Sequence, residues 1–268
     1  MGMPPVVSKP AEVALHRGYQ EVVVQFLTEL ADDELTLGHR DSEWLGLAPD
    51  IEGDIAFSSI AQDEVGHAAF CFDRIAELTG QEADVLAFAR PATERRNARL
   101  LERENGDWAE TIVRHYLYDT FDRLRLQALV ESSYRPLAEG AVKMLREEYY
   151  HRLHMQTVLA RLGRGGEARE RVERALYALA DEVGSLFAGS LQDTRLTELG
   201  ILTASWEDIA SAWCEQVAAE LEDWGLPVPA GLRAVRPAED GRTVHGAALQ
   251  RLLSEMAEVY SADPLATW

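Results

Sequence analysis

A repeated pairing of glutamate with histidine, set inside two long helical patterns, restricts the fold of this chain more than any other feature. The pairs are Glu64-x-x-His67 and Glu148-x-x-His151. Three residues advance an α-helix by about 300°, so the two side chains of each pair project to the same side of their helix. Each pair therefore offers one carboxylate and one imidazole to a common point.

An acidic residue precedes each pair at nearly the same distance. Glu34 lies 30 residues before Glu64, and Asp119 lies 29 residues before Glu148. These residues and the motif histidines fall on apolar stripes whose members are three and four residues apart, a spacing typical of the inner face of a helix. The sequence thus contains the same half-site twice, an acid followed by Glu-x-x-His.

Helical periodicity continues along the chain, and a strand-type alternation is nowhere sustained. The predicted helices span roughly residues 12–37, 51–78, 108–133, 136–162, 167–187, 205–224 and 244–260. Four helices with a long crossover (81–106) between the second and the third define the ferritin-like topology. We predict an all-α, ferritin-like four-helix bundle in a single domain, with residues 1–10 as a flexible tail, 11–165 as the core bundle and 166–268 as additional helices packed on it.

Side chains suited to metal binding would gather inside such a bundle. They are Glu34, Glu64, His67, Asp119, Glu148 and His151. Burying unpaired charge costs several kcal/mol or forces a pKa shift, so a metal is the simplest compensation. Four carboxylates and two imidazoles suit two divalent first-row ions, and the order of metal affinities does not choose between iron and manganese. The sequence predicts a di-metal site with two iron ions, manganese being the alternative; the competing interpretation is a polar core without metal.

Further residues are candidates for support around the metal. Asp63 and Glu147 each lie four residues before a motif histidine and are candidates to accept its second N–H, although a solvent-facing position fits them equally well. Asp122, one turn after Asp119, is the alternative ligand. We expect His115, one turn before Asp119, to be a hydrogen-bonded core histidine.

Charge and composition exclude several classes of function. A formal net charge of −20 opposes binding to nucleic acids, whose phosphates would be repelled. No segment approaches the roughly 20 apolar residues of a membrane span, and the N-terminus lacks the apolar core of a signal peptide. Two cysteines hold neither a thiolate cluster nor a disulfide framework, so we expect a cytoplasmic protein.

Several segments resemble the oxygenase subunits of ring-1,2-phenylacetyl-CoA epoxidases. The motif segments 62–67 and 147–152 read Gln-Asp-Glu-Val-Gly-His and Glu-Glu-Tyr-Tyr-His-Arg. Other features are similar to the structural, C-type subunit of these complexes. They are the segment 106–112 with Tyr116 and Asp119, the pair Glu43-Trp44, Ala48-Pro49 with Ile51-Glu52, His245 with the segment 252–256, and Trp268. The resemblance extends over roughly residues 20–268.

The resemblance implies a role in aerobic phenylacetate catabolism. Complexes of this family add one oxygen atom of O₂ to the ring of phenylacetyl-CoA and form an epoxide. Their catalytic, A-type subunit carries a di-iron site, whereas the C-type subunit pairs with it and is regarded as structural. This chain matches all six ligand positions of the catalytic subunit, several of which are replaced in the better-known C-type pattern. The implied partners are a separate reductase, an A-type subunit and a CoA thioester substrate, and a homodimer is kept as a further assembly.

Three functions are compatible with these observations. The first is an active subunit of the oxygenase, although the sequence leaves open whether the site turns over. The second is a structural scaffold that pairs with the catalytic subunit. The third is a ferritin-type protein for iron oxidation or storage, against which the long C-terminal helical region argues. The chain lacks a Gly-x-Gly-x-x-Gly dinucleotide motif, so an oxygenase of this kind would need electrons from another protein.

Overall fold

The computed structural model describes residues 6–13, 16 and 18–263, and this part of the chain is all-α. The longer helices are α1 (Tyr19–Ser42), α2 (Ile51–Thr79), α3 (Trp108–Gln127), α4 (Arg135–Leu162), α5 (Gly166–Ala180), α6 (Trp206–Asp223) and α7 (Ala247–Met256). Shorter helical segments are Pro10–Val13, Val85–Ala89, Ala92–Glu94, Arg99–Glu102, Val183–Ser185, Gly189–Gln192, Arg195–Glu198, Ala230–Arg233 and Glu258–Ala262. Within the described ranges, no helix combines the length and the apolar character that crossing a membrane requires.

Local side-chain chemistry fixes the ends of α2 and α3. Asp50 precedes α2 and accepts a hydrogen bond from the Gly53 amide at 2.8 Å, and Gly80 ends the helix with a φ of 76°. Asp107 precedes α3 and accepts from the Glu110 amide at 3.0 Å. Such acceptors satisfy first-turn amides that have no partner inside the helix, and glycine adopts a positive φ without a steric penalty. Both helices therefore begin at defined positions.

The predicted helices are present, but several are shorter than their periodic patterns. The first long helix begins at Tyr19 instead of near residue 12, because Gly18 has a φ of 75° and separates it from Pro10–Val13. The third ends at Gln127 instead of 133. The fifth ends at Ala180 instead of 187, and 3₁₀ turns follow it.

The N-terminal segment contains an anchored residue. Val7 is fully buried; its amide donates to the Ser133 carbonyl at 2.7 Å, and its own carbonyl accepts from the Arg135 amide at 2.9 Å. Two backbone hydrogen bonds and a buried side chain hold this position against the start of α4. The prediction of a flexible tail is therefore wrong at Val7. Residues 1–5 of that tail, and Trp268, lie outside the described part of the chain.

The chain divides into two compact units. The first unit comprises the described residues of 1–23 and 105–239, and the second unit comprises those of 24–104 and 240–263. The predicted boundary between the core bundle and the additional helices, at residue 166, falls inside the first unit. The arrangement as one domain stays a prediction.

In the first unit, α3 packs against α4, α5 and α6. Trp213 of α6 is fully buried, and its indole nitrogen donates to the Leu117 carbonyl of α3 at 3.0 Å. Phe187 meets the same indole edge-on, with ring centroids 5.5 Å apart. Aromatic pairs of this kind add to the free energy gained from burial. Trp213 therefore ties α6 to α3.

In the second unit, α1 and α2 run antiparallel in close contact. A β-carbon placed on Gly38 of α1 would lie 2.9 Å from the Glu64 Cβ and 3.2 Å from the Ala61 carbonyl oxygen. Because real β-carbons do not approach other atoms so closely, only glycine permits this separation of the two helices. The contact lies one turn from Glu34, so it sets the distance between residues that the sequence assigns to a metal.

Candidate metal centre

The second unit contains a cluster of buried side chains with metal-binding chemistry, which we call the α1–α2 cluster: Glu34, Glu64 and His67. The Nδ1 atom of His67 lies 3.6 Å from Glu34 Oε2 and 3.6 Å from Glu64 Oε2. All three residues are buried. Ligand atoms bound at about 2.1 Å to one ion lie about 3–3.5 Å apart, so this spacing suits a single cation. The cluster can hold a metal ion.

The acids beside Glu34 on α1 have a different environment. Asp32 accepts from Arg90 at 3.0 Å and from Arg95 at 3.2 Å, and Asp33 accepts from both Nη atoms of Arg242. A buried carboxylate with an arginine partner is already neutralised. Glu34 instead faces a second carboxylate and a histidine, which makes it the acid of this run that suits a metal.

Protonation in the α1–α2 cluster reflects the crowding of its negative charges. Burial raises the pKa of Glu34 to about 8, the neighbouring Glu64 carboxylate adds to the shift, and His67 counteracts it. Burial lowers the pKa of His67, but the two neighbouring glutamates outweigh burial and raise it well above its usual value. Without a cation, these groups therefore retain protons that a metal ion would displace.

The first unit contains the second set of predicted residues, the α3–α4 cluster: Asp119, Glu148 and His151. All are buried, and His151 Nδ1 lies 3.1 Å from Glu148 Oε1. Burial raises the pKa of Glu148 to about 7; the His151 charge and hydrogen bond lower it, and the charges of Asp122 and Asp119 raise it. The α3–α4 cluster thus repeats the chemistry of the α1–α2 cluster.

His115 holds one of these carboxylates in place. Its Nδ1 atom lies 2.7 Å from Asp119 Oδ1, and both side chains are fully buried. The other oxygen, Asp119 Oδ2, is buried and has no hydrogen-bond partner among the described residues. A buried acceptor normally has a partner, so this oxygen is suited to a cation. The sequence prediction that His115 is a hydrogen-bonded core histidine is confirmed, and its spacing of four from Asp119 was the signal for this role.

The remaining candidates have other environments. Asp122 accepts from Arg125 Nε at 2.8 Å, so it belongs to a buried ion pair. Glu147 pairs with Lys143 at 2.8 Å, on the outer face of α4. Asp63 is half-buried. Support of the motif histidines by Asp63 and Glu147 stays a prediction.

The donor set fits a metal that prefers oxygen and nitrogen ligands. Each cluster supplies two carboxylates and one imidazole, and imidazole with carboxylate suits iron and manganese. Cysteine is not part of either cluster, which argues against a thiolate-bound metal. These buried carboxylate–histidine groups are compatible with metal binding.

A family model described as "Phenylacetic acid catabolic protein" matches residues 9–268. The chain belongs to this family. Its members have the ferritin-like, all-α fold class, in agreement with the fold class predicted from the sequence.

Two relatives give the family match further detail. The C-type subunit of the 1,2-phenylacetyl-CoA epoxidase of Escherichia coli (strain K12) is 32% identical over 206 residues, which cover 76% of this chain and 83% of the relative. The A-type subunit of the same organism's 1,2-phenylacetyl-CoA epoxidase is 22% identical over 154 residues, covering 58% of this chain and 50% of the relative. The chain therefore matches most of the C-type relative and half the length of the A-type relative.

Proposed function

We propose that this chain is a subunit of a multicomponent 1,2-phenylacetyl-CoA epoxidase. The family match over nearly the whole chain and the similarity to the C-type and A-type subunits of the Escherichia coli enzyme support this assignment. An oxygenase of this kind needs a reductase and an A-type partner. We place it in the cytoplasm, with a homodimer as a further assembly to test.

The observation that carries the proposal is the buried group of Glu34, Glu64 and His67. In this group, His67 Nδ1 lies 3.6 Å from one carboxylate oxygen of each glutamate. We propose that this α1–α2 cluster and the α3–α4 cluster each contribute ligands to one di-metal site. Four carboxylates carry four negative charges, which two divalent ions neutralise. Iron is the metal we propose, with manganese as the alternative.

In this proposal, the residues of the chain hold the metal ions and orient the groups that bind them. Glu34, Glu64, Asp119 and Glu148 would supply carboxylates to the ions, and the two motif histidines would complete the set. His115 keeps Asp119 Oδ1 engaged, so that Oδ2 would remain available to a metal ion. When bound, the ions would supply the reductive activation of O₂ for transfer of one oxygen atom to the aromatic ring. Burial of all six ligands excludes water from them, which favours oxygen transfer over hydrolytic side reactions.

A structural partner in the complex is the second candidate function. The identity to the C-type relative is higher than that to the A-type relative, and it covers more of both chains. A chain of this kind would bind metal without turning over substrate. A ferritin-type storage protein is a third candidate, which predicts iron uptake without dependence on a CoA thioester.

The experiment that separates these functions measures metal and turnover together. The chain is loaded anaerobically with iron, and O₂ consumption is followed with phenylacetyl-CoA, a reductase and NADPH, with and without an A-type partner. Substrate-dependent consumption by the iron-loaded chain supports the epoxidase assignment with an active site. Bound metal without substrate-dependent consumption supports the structural role, and a folded chain that binds no metal refutes the di-metal site.

A further inference from the structure

We infer that Glu220, on α6 of the first unit, is a positioning residue that fixes α3 and α4 relative to each other at the proposed metal ligands. The inference rests on the proposed function, because it concerns the ligands assigned there. Glu220 lies outside both clusters and was not among the residues that the sequence motifs indicated.

Side chains of α3, α4 and α6 donate to the carboxylate of Glu220. The Tyr116 hydroxyl and Gln156 Nε2 each lie 2.9 Å from Oε2, and Gln216 Nε2 lies 2.9 Å from Oε1. Arg152 forms an ion pair with Oε1. Hydrogen bonds to a charged acceptor are stronger than those between neutral groups, and several on one carboxylate act as a network. One side chain of α6 thereby joins α3 to α4.

One donor directly follows a cluster residue, and another directly follows the histidine that holds a cluster residue. Tyr116 follows His115, the residue that holds Asp119, and Arg152 follows the motif histidine His151. Because adjacent residues of a helix move as a rigid body, sliding of α3 against α4 would require breaking bonds to the same carboxylate. The Glu220 carboxylate therefore sets the axial alignment of the α3–α4 cluster.

The surroundings of this network favour a fixed geometry. Tyr116 is fully buried, and the ring of Trp224 packs edge-on against it with centroids 5.4 Å apart. Burial raises the pKa of the Tyr116 phenol well above its usual value, and the charge and hydrogen bond of Glu220 add to this, so the hydroxyl stays a donor. Arg123 extends the network through its bond to Gln216 at 2.5 Å. A metal ligand gains affinity when the groups behind it hold its orientation.

Glu220→Gln tests the inference, with Glu222→Gln as the matched control. Both variants remove one negative charge from α6, but Glu222 pairs with Arg233 at 2.8 Å where both side chains are more than half exposed. Competition with a chelator measures the affinity for Mn²⁺ at each binding step. We expect Glu220→Gln to weaken at least one step about ten-fold or more at unchanged helix content, as seen when supporting groups behind metal ligands are removed. Glu222→Gln is expected to match the wild type.

Cobalt substitution adds a readout that lower stability alone does not change. The ligand-field absorption of Co²⁺ depends on the geometry of its ligands, so we expect shifted bands for Glu220→Gln, recorded well below its unfolding temperature. If Glu220→Gln does not fold, Tyr116→Phe removes one bond and keeps the ring against Trp224; we expect it to weaken a binding step about two- to ten-fold.

The outcomes distinguish the inference from the function on which it rests. Wild-type affinity and a wild-type cobalt spectrum in the folded Glu220→Gln variant would overturn the inference and leave the di-metal site intact. A wild-type chain that binds neither Mn²⁺ nor Co²⁺ would instead overturn the proposed function.

Discussion

Arg242 binds both carboxylate oxygens of Asp33, at 2.8 and 3.0 Å, although the two residues lie 209 positions apart in the sequence. Both side chains are buried. Asp33 also accepts from the Ala98 amide at 2.7 Å, so α1 is tied at one point to the crossover and to the C-terminal segment. The residue after Asp33 is the proposed ligand Glu34, and the arginine contact thus stabilises the backbone that carries it.

We predict that Arg242→Met destabilises the chain by about 3–5 kcal/mol, because it leaves the Asp33 carboxylate buried without its counter-charge. Urea unfolding followed by circular dichroism measures the change. Arg251→Gln is the control, since Arg251 pairs with Glu104 at 2.5 Å where both are exposed, and such pairs contribute about 0–1 kcal/mol. Equal effects of the two variants would show that the Arg242–Asp33 pair is not buried in solution.

Gly38→Ala is predicted to weaken metal binding in the α1–α2 cluster. Its β-carbon would lie 2.9 Å from Glu64 Cβ, so the helices must separate, at a cost of about 1–3 kcal/mol. Gly66→Ala is the matched control. Gly66 lies between Glu64 and His67 on α2, and a β-carbon placed there would meet open space. Alanine there is expected to leave metal affinity unchanged and to raise stability by up to about 1 kcal/mol. Equal metal affinities in the two variants would contradict the close helix contact.

Without metal, the chain is predicted to lose stability as the pH rises from about 5 to 8. The pKa of Glu34 is raised to about 8 and that of Glu148 to about 7 in the folded state, above their values in the unfolded chain. The folded state then binds more protons than the unfolded state in this range, so the free energy of unfolding falls with increasing pH. Thermal unfolding of the metal-free chain over this range measures the slope, and a rising unfolding temperature would contradict it.

Metal uptake is predicted to release protons, since Glu34 and Glu148 must lose theirs to become ligands. The apparent affinity for Mn²⁺ should therefore increase between pH 6 and pH 8. Calorimetric titration in two buffers with different ionisation enthalpies gives the number of protons released. Identical heats in the two buffers would show that the carboxylates are already ionised before metal binds.

The sequence identified the features that depend on local periodicity. A helical repeat of 3.6 residues placed the two Glu-x-x-His motifs on inner faces, and the structure brings Glu64 and His67 to Glu34 as that pattern required. Helix ends were predicted less well: the break at Gly18 depends on one positive φ that the apolar stripe does not record.

Contacts between distant segments could not be predicted from the sequence. Nothing local to Asp33 indicates that Arg242 is its partner, and the run of three acids at 32–34 gives no sign that Asp32 and Asp33 pair with arginines. Glu220 carries no motif, because its role comes from donors on two other helices. Glu147 has two interpretations from helix spacing alone, and its ion pair with Lys143 is a contact that the spacing does not indicate.

Metal stoichiometry after anaerobic iron loading measures whether the two clusters hold metal together. We predict that the wild-type chain binds two ions and that Glu64→Ala binds at most one at unchanged helix content. The control is Glu52→Ala, which removes an exposed acid and is expected to retain two ions. A folded wild-type chain that binds no iron and no manganese, or a Glu64→Ala variant that still binds two ions, would contradict the account.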